Sequence, residues 1–344
     1  MLKLTILPLL CVTVSLGFHG SLAAQGEQTL RATAKKGSSV WLLQEQKQEQ
    51  SIDQGGQQME MGNSTTHTLH VTVLDVDDKG VMTVQTEIVR IHGSMQMGPM
   101  GEAEFDSAAP AGEDDDSGNP FSPAAMTKSL VKAAGKKFTA KVDNRGKALS
   151  LEGADELLKS GGGRMGGGFT EGSLKQMAES VFGMMPEQAV AVGASWDHVE
   201  KEGARMPAEH KMKLTLAKMD DASFEVTAVG TIEKTANKDK DAAGEKADDP
   251  MAEMTKNMTI QNGKITGAQR VSRQDGFIID STNTTSMDIE IDSPMGAASV
   301  GVKTVTTIKR TTAEAAMPKK ADKAAPTTGE KAEEKKEEKK EGGK

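Results

Sequence analysis

The sequence predicts a mostly β protein: duplicated antiparallel sheet or half-barrel units with one short amphipathic helix between them. Three observations carry this reading. Apolar and polar residues alternate with a period of two through Thr65–Ile91, the pattern of strands with one buried face. Turn sequences such as Asp77–Gly80 and Asp143–Gly146 punctuate the runs. The same programme also occurs twice. Gly37, Trp41, Leu69–Asp78 and Val81–Ile88 are matched by Gly193, Trp196, Met212–Asp221 and Phe224–Val229, and these are the only 2 tryptophans of the chain. The expected organisation is a signal peptide (1–24), a first β unit (27–160), a Gly-rich linker and helix (161–191), a second β unit (192–312) and a disordered Lys/Glu/Ala tail (313–344).

Each element follows from its residues. Lys3, an apolar run from Leu4 to Phe18 and the small residues Ser21–Ala24 form a secretory signal pattern, with cleavage after Ala23 or Ala24. The run is short for a membrane span and holds Pro8, which argues against an anchor. Cys11, the only cysteine, leaves with this segment; Leu10 before it is too bulky for lipid attachment. The mature chain is then expected to be periplasmic or extracellular, to have no transmembrane segment, and to hold together without disulfides.

Ser39–Ile52 and Thr65–Ile91 read as strands, with Gly80 closing a tight turn. Residues 93–125, rich in Gly, Met, Pro and acid, read as an exposed loop. Phe138–Val142 and Lys147–Leu151 form a hairpin, and Ala154–Lys159 a helical turn. The best helix starts at Ser173, where Ser173 and Gln176 have capping-box spacing. Leu174, Met177, Val181, Phe182 and Met185 then share one face before Pro186 stops the helix. If that helix is a lid hinged on Gly161–Gly168, Met177, Val181, Phe182 and Met185 are the candidate ligand-binding residues. The second unit adds a charged loop at Asn237–Pro250 and strands Lys264–Arg273, Phe277–Asp292 and Ser299–Thr311. Ala313–Lys344 has too little apolar surface to offset its conformational entropy.

Composition narrows function. There are 21 Met and 36 Gly but 8 Phe and no Tyr, so Met fills gaps that aromatics usually fill and makes an adaptable core. A formal charge of −8 argues against a nucleic-acid partner.

Each motif also has a simpler structural explanation. Gly161–Gly166 fits G-x-G-x-x-G by spacing, but it follows no strand and opens no βαβ unit, so it reads as a linker. Asp75–Gly80 begins like a calcium loop, yet Lys79 and Thr86 stand where oxygen ligands are needed. His67 and His70, three apart in a strand, point to opposite faces and cannot share a metal; with His92, His198 and His210 they read as solvated polar positions. Met59, Met61, Met95, Met97, Met100, Met184 and Met185 are thioethers suited to Cu(I), but their alternation favours packing. No catalytic residue, metal site or cofactor is assigned.

The stretch Gln44–Met61, Val76–Gly80, Met97–Gly101 with Glu104–Ser107, the Phe138–Leu151 hairpin and the Thr-rich strands Ile279–Ile291 and Val302–Lys309 together resemble a family of secreted bacterial β-rich proteins catalogued as a domain of unknown function. The resemblance spans most of residues 30–311 and implies an exported β-rich unit, with no catalytic residues. Two functional readings stand: an envelope protein binding an apolar small molecule or lipid on a concave sheet, or a structural envelope protein without a small-molecule ligand. An enzyme is third, for want of any catalytic motif.

Overall fold

The strands of the two sequence copies belong to one sheet. The structure, a computed structural model, describes residues 26–109, 127–128, 130–160, 169–201, 208–235, 257–293 and 296–316. The expected signal segment (1–24), Gly161–Gly168, the expected charged loop at Asn237–Pro250 and the residues after Ala316 therefore lie outside the described residues.

Twelve strands are present among the described residues: β1 (Ser39–Gln54), β2 (Gln57–Val76), β3 (Met82–Met97), β4 (Glu102–Asp106), β5 (Lys137–Val142), β6 (Ala148–Glu152), β7 (Ser195–Lys201), β8 (Ala208–Met219), β9 (Ser223–Lys234), β10 (Met258–Ser272), β11 (Ile278–Ser293) and β12 (Gly296–Thr311). They form a single open antiparallel sheet in the order β6-β5-β3-β2-β1-β12-β11-β10-β9-β8-β7, with β4 paired to the far half of β3. The chain meanders outward from β1 to one edge, crosses to the other, and meanders back until β12 pairs with β1 over Trp41–Gln54. The crossing is made by helices α1 (Asp155–Ser160) and α2 (Glu171–Glu179) and the segment after them.

Both sequence copies thus lie in one continuous sheet, and the structure does not set them apart as duplicated units. β1–β3 and β7–β9 are both three-strand meanders, and each hairpin carries a register shift before its Asp-Asp turn. They do not form separate units, because β1 is central and β7 is an edge. Their tryptophans face opposite ways. Trp41 neighbours the buried Leu42 and so points outward, stacking on His70 at 4.4 Å, whereas Trp196 lies opposite the buried Leu214.

The sheet is curled at one end, here called the base. Ala32 N donates to Asn144 O in the β5–β6 turn, and the next residue, Thr33, donates to Asp275 O in the β10–β11 turn. In the sheet order β5 and β10 are six strands apart, roughly 29 Å in a flat sheet at about 4.8 Å per strand. Two adjacent residues bridge them only because the sheet bends round. Beneath this strap passes a second one. Phe182 bridges to Phe277, and Ile278 N donates to Val181 O. A Cβ at Gly183 would lie 2.6 Å from Val271 Cγ2, and one at Gly146 would lie 2.8 Å from Gly183 O. Glycine at 183 is what lets the strap pass so close.

The helix differs from its sequence reading. α2 is capped by Thr170, whose side chain accepts from Ser173 N while Ser173 Oγ accepts from Thr170 N, and it ends at Glu179. Val181–Met185 are not helical: pairing with β11 competes for that backbone and wins over the 3.6-residue periodicity. Residues 93–109 also depart from an exposed loop, since β3 runs to Met97 and β4 follows. Gly93 belongs in that strand because a Cβ there would fall 1.9 Å from Ser64 O, so only glycine tolerates the crossing. At the C-terminus Ala313–Ala316 forms a helical turn, α3, with Ala316 buried.

Candidate functional site

Alternation along each strand separates an inner face from an outer one. The inner face carries the core: Leu42, Val71, Val84, Phe138, Leu214, Val226 and Val271 all belong to one buried cluster. Outer-face positions carry ion pairs such as Lys211–Glu233 and Lys218–Glu225, as a solvated surface does.

Along the central strands the inner face changes character twice. Nearest the base it is apolar and closed. Phe182 is 1% exposed and stacks on Phe277 at 5.0 Å, with Arg310 over the Phe277 ring. Arg310 is held by Asp275 at 3.1 Å. One step outward the face turns polar. β1 reads Gln44-x-Gln46-x-Gln48-x-Gln50, which puts four glutamines on the inner side and Glu45, Lys47 and Glu49 outside. Register extends the band sideways. Gln44 lies opposite His67 and Ile308, Ile308 opposite Ser281, and Ser281 opposite Gln269. The next rows pair Gln46 with Thr65 and Thr306, then Gln48 with Asn63 and Thr304. Beyond them the face is apolar again and rich in methionine: Met61 opposite Met97, Ile52 opposite Met59 and Val300, Val302 opposite Met287.

Within the polar band hydrogen bonding is incomplete. Asn63 donates to Gln48 Oε1 at 3.2 Å. Gln44 Oε1, His67 Nδ1 and Gln269 Nε2 are buried, and none has a partner among the described residues. His67 is 8% exposed and Gln269 7% exposed. An unpaired buried donor or acceptor costs about 1–3 kcal/mol, so several on one face are unusual. Burial, and to a lesser degree the charge of His92, lowers the His67 pKa to about 4, which keeps the ring neutral. Phe169, just before α2, meets it edge-on at 6.2 Å. His198, also inner, is likewise lowered by burial. No Asp, Glu, Lys or Arg stands on the inner face in the rows from Gln44 to Gln48 across β2, β1, β12, β11 and β10.

The structure brings the four sequence-predicted residues together at the base. Met177 lies in α2, and Val181, Phe182 and Met185 in the strap after it; all are buried. His67 and His70 do face opposite ways, but His67 is a core histidine and not a solvated one. Met59, Met61, Met95 and Met97 share the inner face as strand side chains. Among the described residues no group of three or more His, Cys, Asp or Glu is placed to hold a metal ion. Sequence reasoning missed Gln44, Gln269 and the polar band. Its one available signal was the strict Gln spacing of two in residues 44–50.

A family model described as a family of unknown function (DUF6263) matches residues 79–278. No curated protein matches the sequence. Among solved structures, one of lipovitellin, described by its lipid–protein interactions, is similar at 7% identity and a TM-score of 0.44, over 81% of this chain and 26% of that one. An outer membrane channel from Pseudomonas putida F1 is similar at 7% identity and a TM-score of 0.22, over 81% and 97%. The chain thus spans about a quarter of the lipovitellin chain, and neither likeness is close enough to carry an argument. No helix among the described residues is long and apolar enough to cross a membrane.

Proposed function

The chain belongs to the DUF6263 family, and we propose that it is an exported cell-envelope protein that binds an apolar ligand on the inner face of its curled β-sheet. The observation that carries this is the outer apolar band. Ile52, Met59, Met61, Met95, Val300 and Val302 all point inward and are only half-buried, beside the buried Met97, Met287 and Ile289, while the base is sealed. Apolar side chains left partly open on a concave face mark a binding surface, and methionine lets such a surface adapt to varied apolar shapes. In this reading Met177, Val181, Phe182 and Met185 form the floor of the binding face. The Leu4–Phe18 segment supports export to the periplasm or beyond.

A specific feature favours the second reading, a scaffold without a small-molecule ligand. The opposite face carries an open groove of about 870 Å³ bordered by Glu49, Glu60, Lys264, Asp288 and Lys303, suited to polar contact with protein or polysaccharide.

Native mass spectrometry of protein purified from its own envelope separates the two. Ligand binding predicts an adduct that organic extraction removes, after which the stripped protein takes up an apolar dye. A bare mass with no dye uptake overturns ligand binding and leaves the scaffold reading.

A further inference from the structure

The polar band says which apolar ligands the inner face should prefer, and this inference rests on the binding reading above. We infer that the ligand is an amphiphile with an uncharged, hydroxyl-bearing head, held at the Gln44–His67 pair with its tail along the methionine-rich band.

Gln44 and His67 are directly opposed on β1 and β2, a spacing of about 5 Å between Cβ atoms. Gln44 Oε1 and His67 Nδ1 are both buried and unpartnered among the described residues. A bare alkane would leave them so. A hydroxyl donates to the glutamine oxygen and accepts from the imidazole, satisfying both at once. Gln269, in the same register row, offers a further free donor at Nε2. The tail can run in one direction only, because the base is filled by Phe182 and Phe277. From Gln44 to Ile52 the inner face runs about 26 Å at about 3.3 Å per residue, enough for an extended acyl chain.

The same chemistry rejects charged heads. Of the groups facing this row, Gln44, Ser281 and Gln269 carry no charge, and His67 is neutral at ordinary pH. A carboxylate or phosphate brought there would lose its hydration without gaining a counter-charge, which is costly.

The test is a head-group series on a constant dodecyl chain, measured with the full mature protein by calorimetry at neutral pH. Monolaurin should bind at least about tenfold more tightly than laurate or dodecylphosphocholine, roughly 1.4 kcal/mol or more. Replacing the pair by shape-matched apolar residues, Gln44→Met with His67→Phe, should abolish that preference by weakening monolaurin alone. Should the double variant fail to fold, the wild-type series decides without it. Equal affinity for all three heads, or tighter laurate, overturns this inference while leaving apolar binding intact. If none of the three binds, the binding reading itself falls, and this inference with it.

Discussion

The base of the inner face and its open end are built from the same strands, yet they differ in what their side chains achieve. At the base Phe182, Phe277, Val181 and Val271 are sealed between two crossing straps and the curled sheet. Toward the other end of β1 and β2 the same face first leaves amide and imidazole atoms unpartnered and then holds methionines that are only half-buried. The base is sealed throughout, whereas the other end mixes the buried Met97, Met287 and Ile289 with the half-buried Met59, Met61 and Met95. The difference teaches that, in the proposed reading, stability and binding divide by position along the same strands.

The largest effect that would break this comparison is expected from Phe182→Ala. Truncating a fully buried phenylalanine should cost about 3–5 kcal/mol. Denaturant unfolding measures it. A loss below about 1 kcal/mol would mean that the base is not the stabilising end.

An acid titration sharpens it next. The pKa of His67 is depressed to about 4 in the folded protein against an ordinary value of 6.5. Between those values the unfolded chain binds a proton that the native one refuses, so stability is complete above about pH 6.5 and falls as pH drops toward 4. The full difference is about 3 kcal/mol. Other groups also respond to acid, so the measurement is the difference between wild type and His67→Phe, whose stability should fall less over that window. Identical acid profiles would show His67 to be accessible, and the polar band to be open.

Much of the frame was legible in the sequence, and the reason it was is also the reason the site was not. The Asp143–Gly146 hairpin stands as read, with Asp143 Oδ1 accepting from Arg145 N and Lys147 N. Turn chemistry of this kind is local, and so are the long strands β10 to β12, where apolar and polar residues alternate near their ends. In the band around Gln44–Gln50 both faces are polar, so alternation gives no sign of which residues point inward. That face is identified only by the pairing of β1 with β2 and β12, contacts distant in sequence. Equally, Val181–Met185 carry a good helical stripe, and only β11 and the glycine-lined passage at Gly183 show why the chain leaves the helix after Glu179. The two sequence copies show the same limit: a three-strand meander is recognisable locally, but its place in a sheet is set by its partners.

The smallest effect on stability, and the most direct probe of the open end, is expected from Met61→Thr. Met61 sits on the inner face opposite Gln50 and Met97, half-exposed. A truncated core methionine costs about 2–5 kcal/mol, because a cavity opens and packing is lost. At a half-exposed strand position much of that cost disappears, and the β-branched threonine suits the pleated backbone. The substitution should therefore shift stability by less than about 1 kcal/mol while reducing uptake of the apolar dye several-fold. The two readouts pull apart only if the methionine band is a surface awaiting a ligand. A stability loss comparable to that of Phe182→Ala, with dye uptake unchanged, would show the band to be core like the base, and the distinction between the two ends would fail.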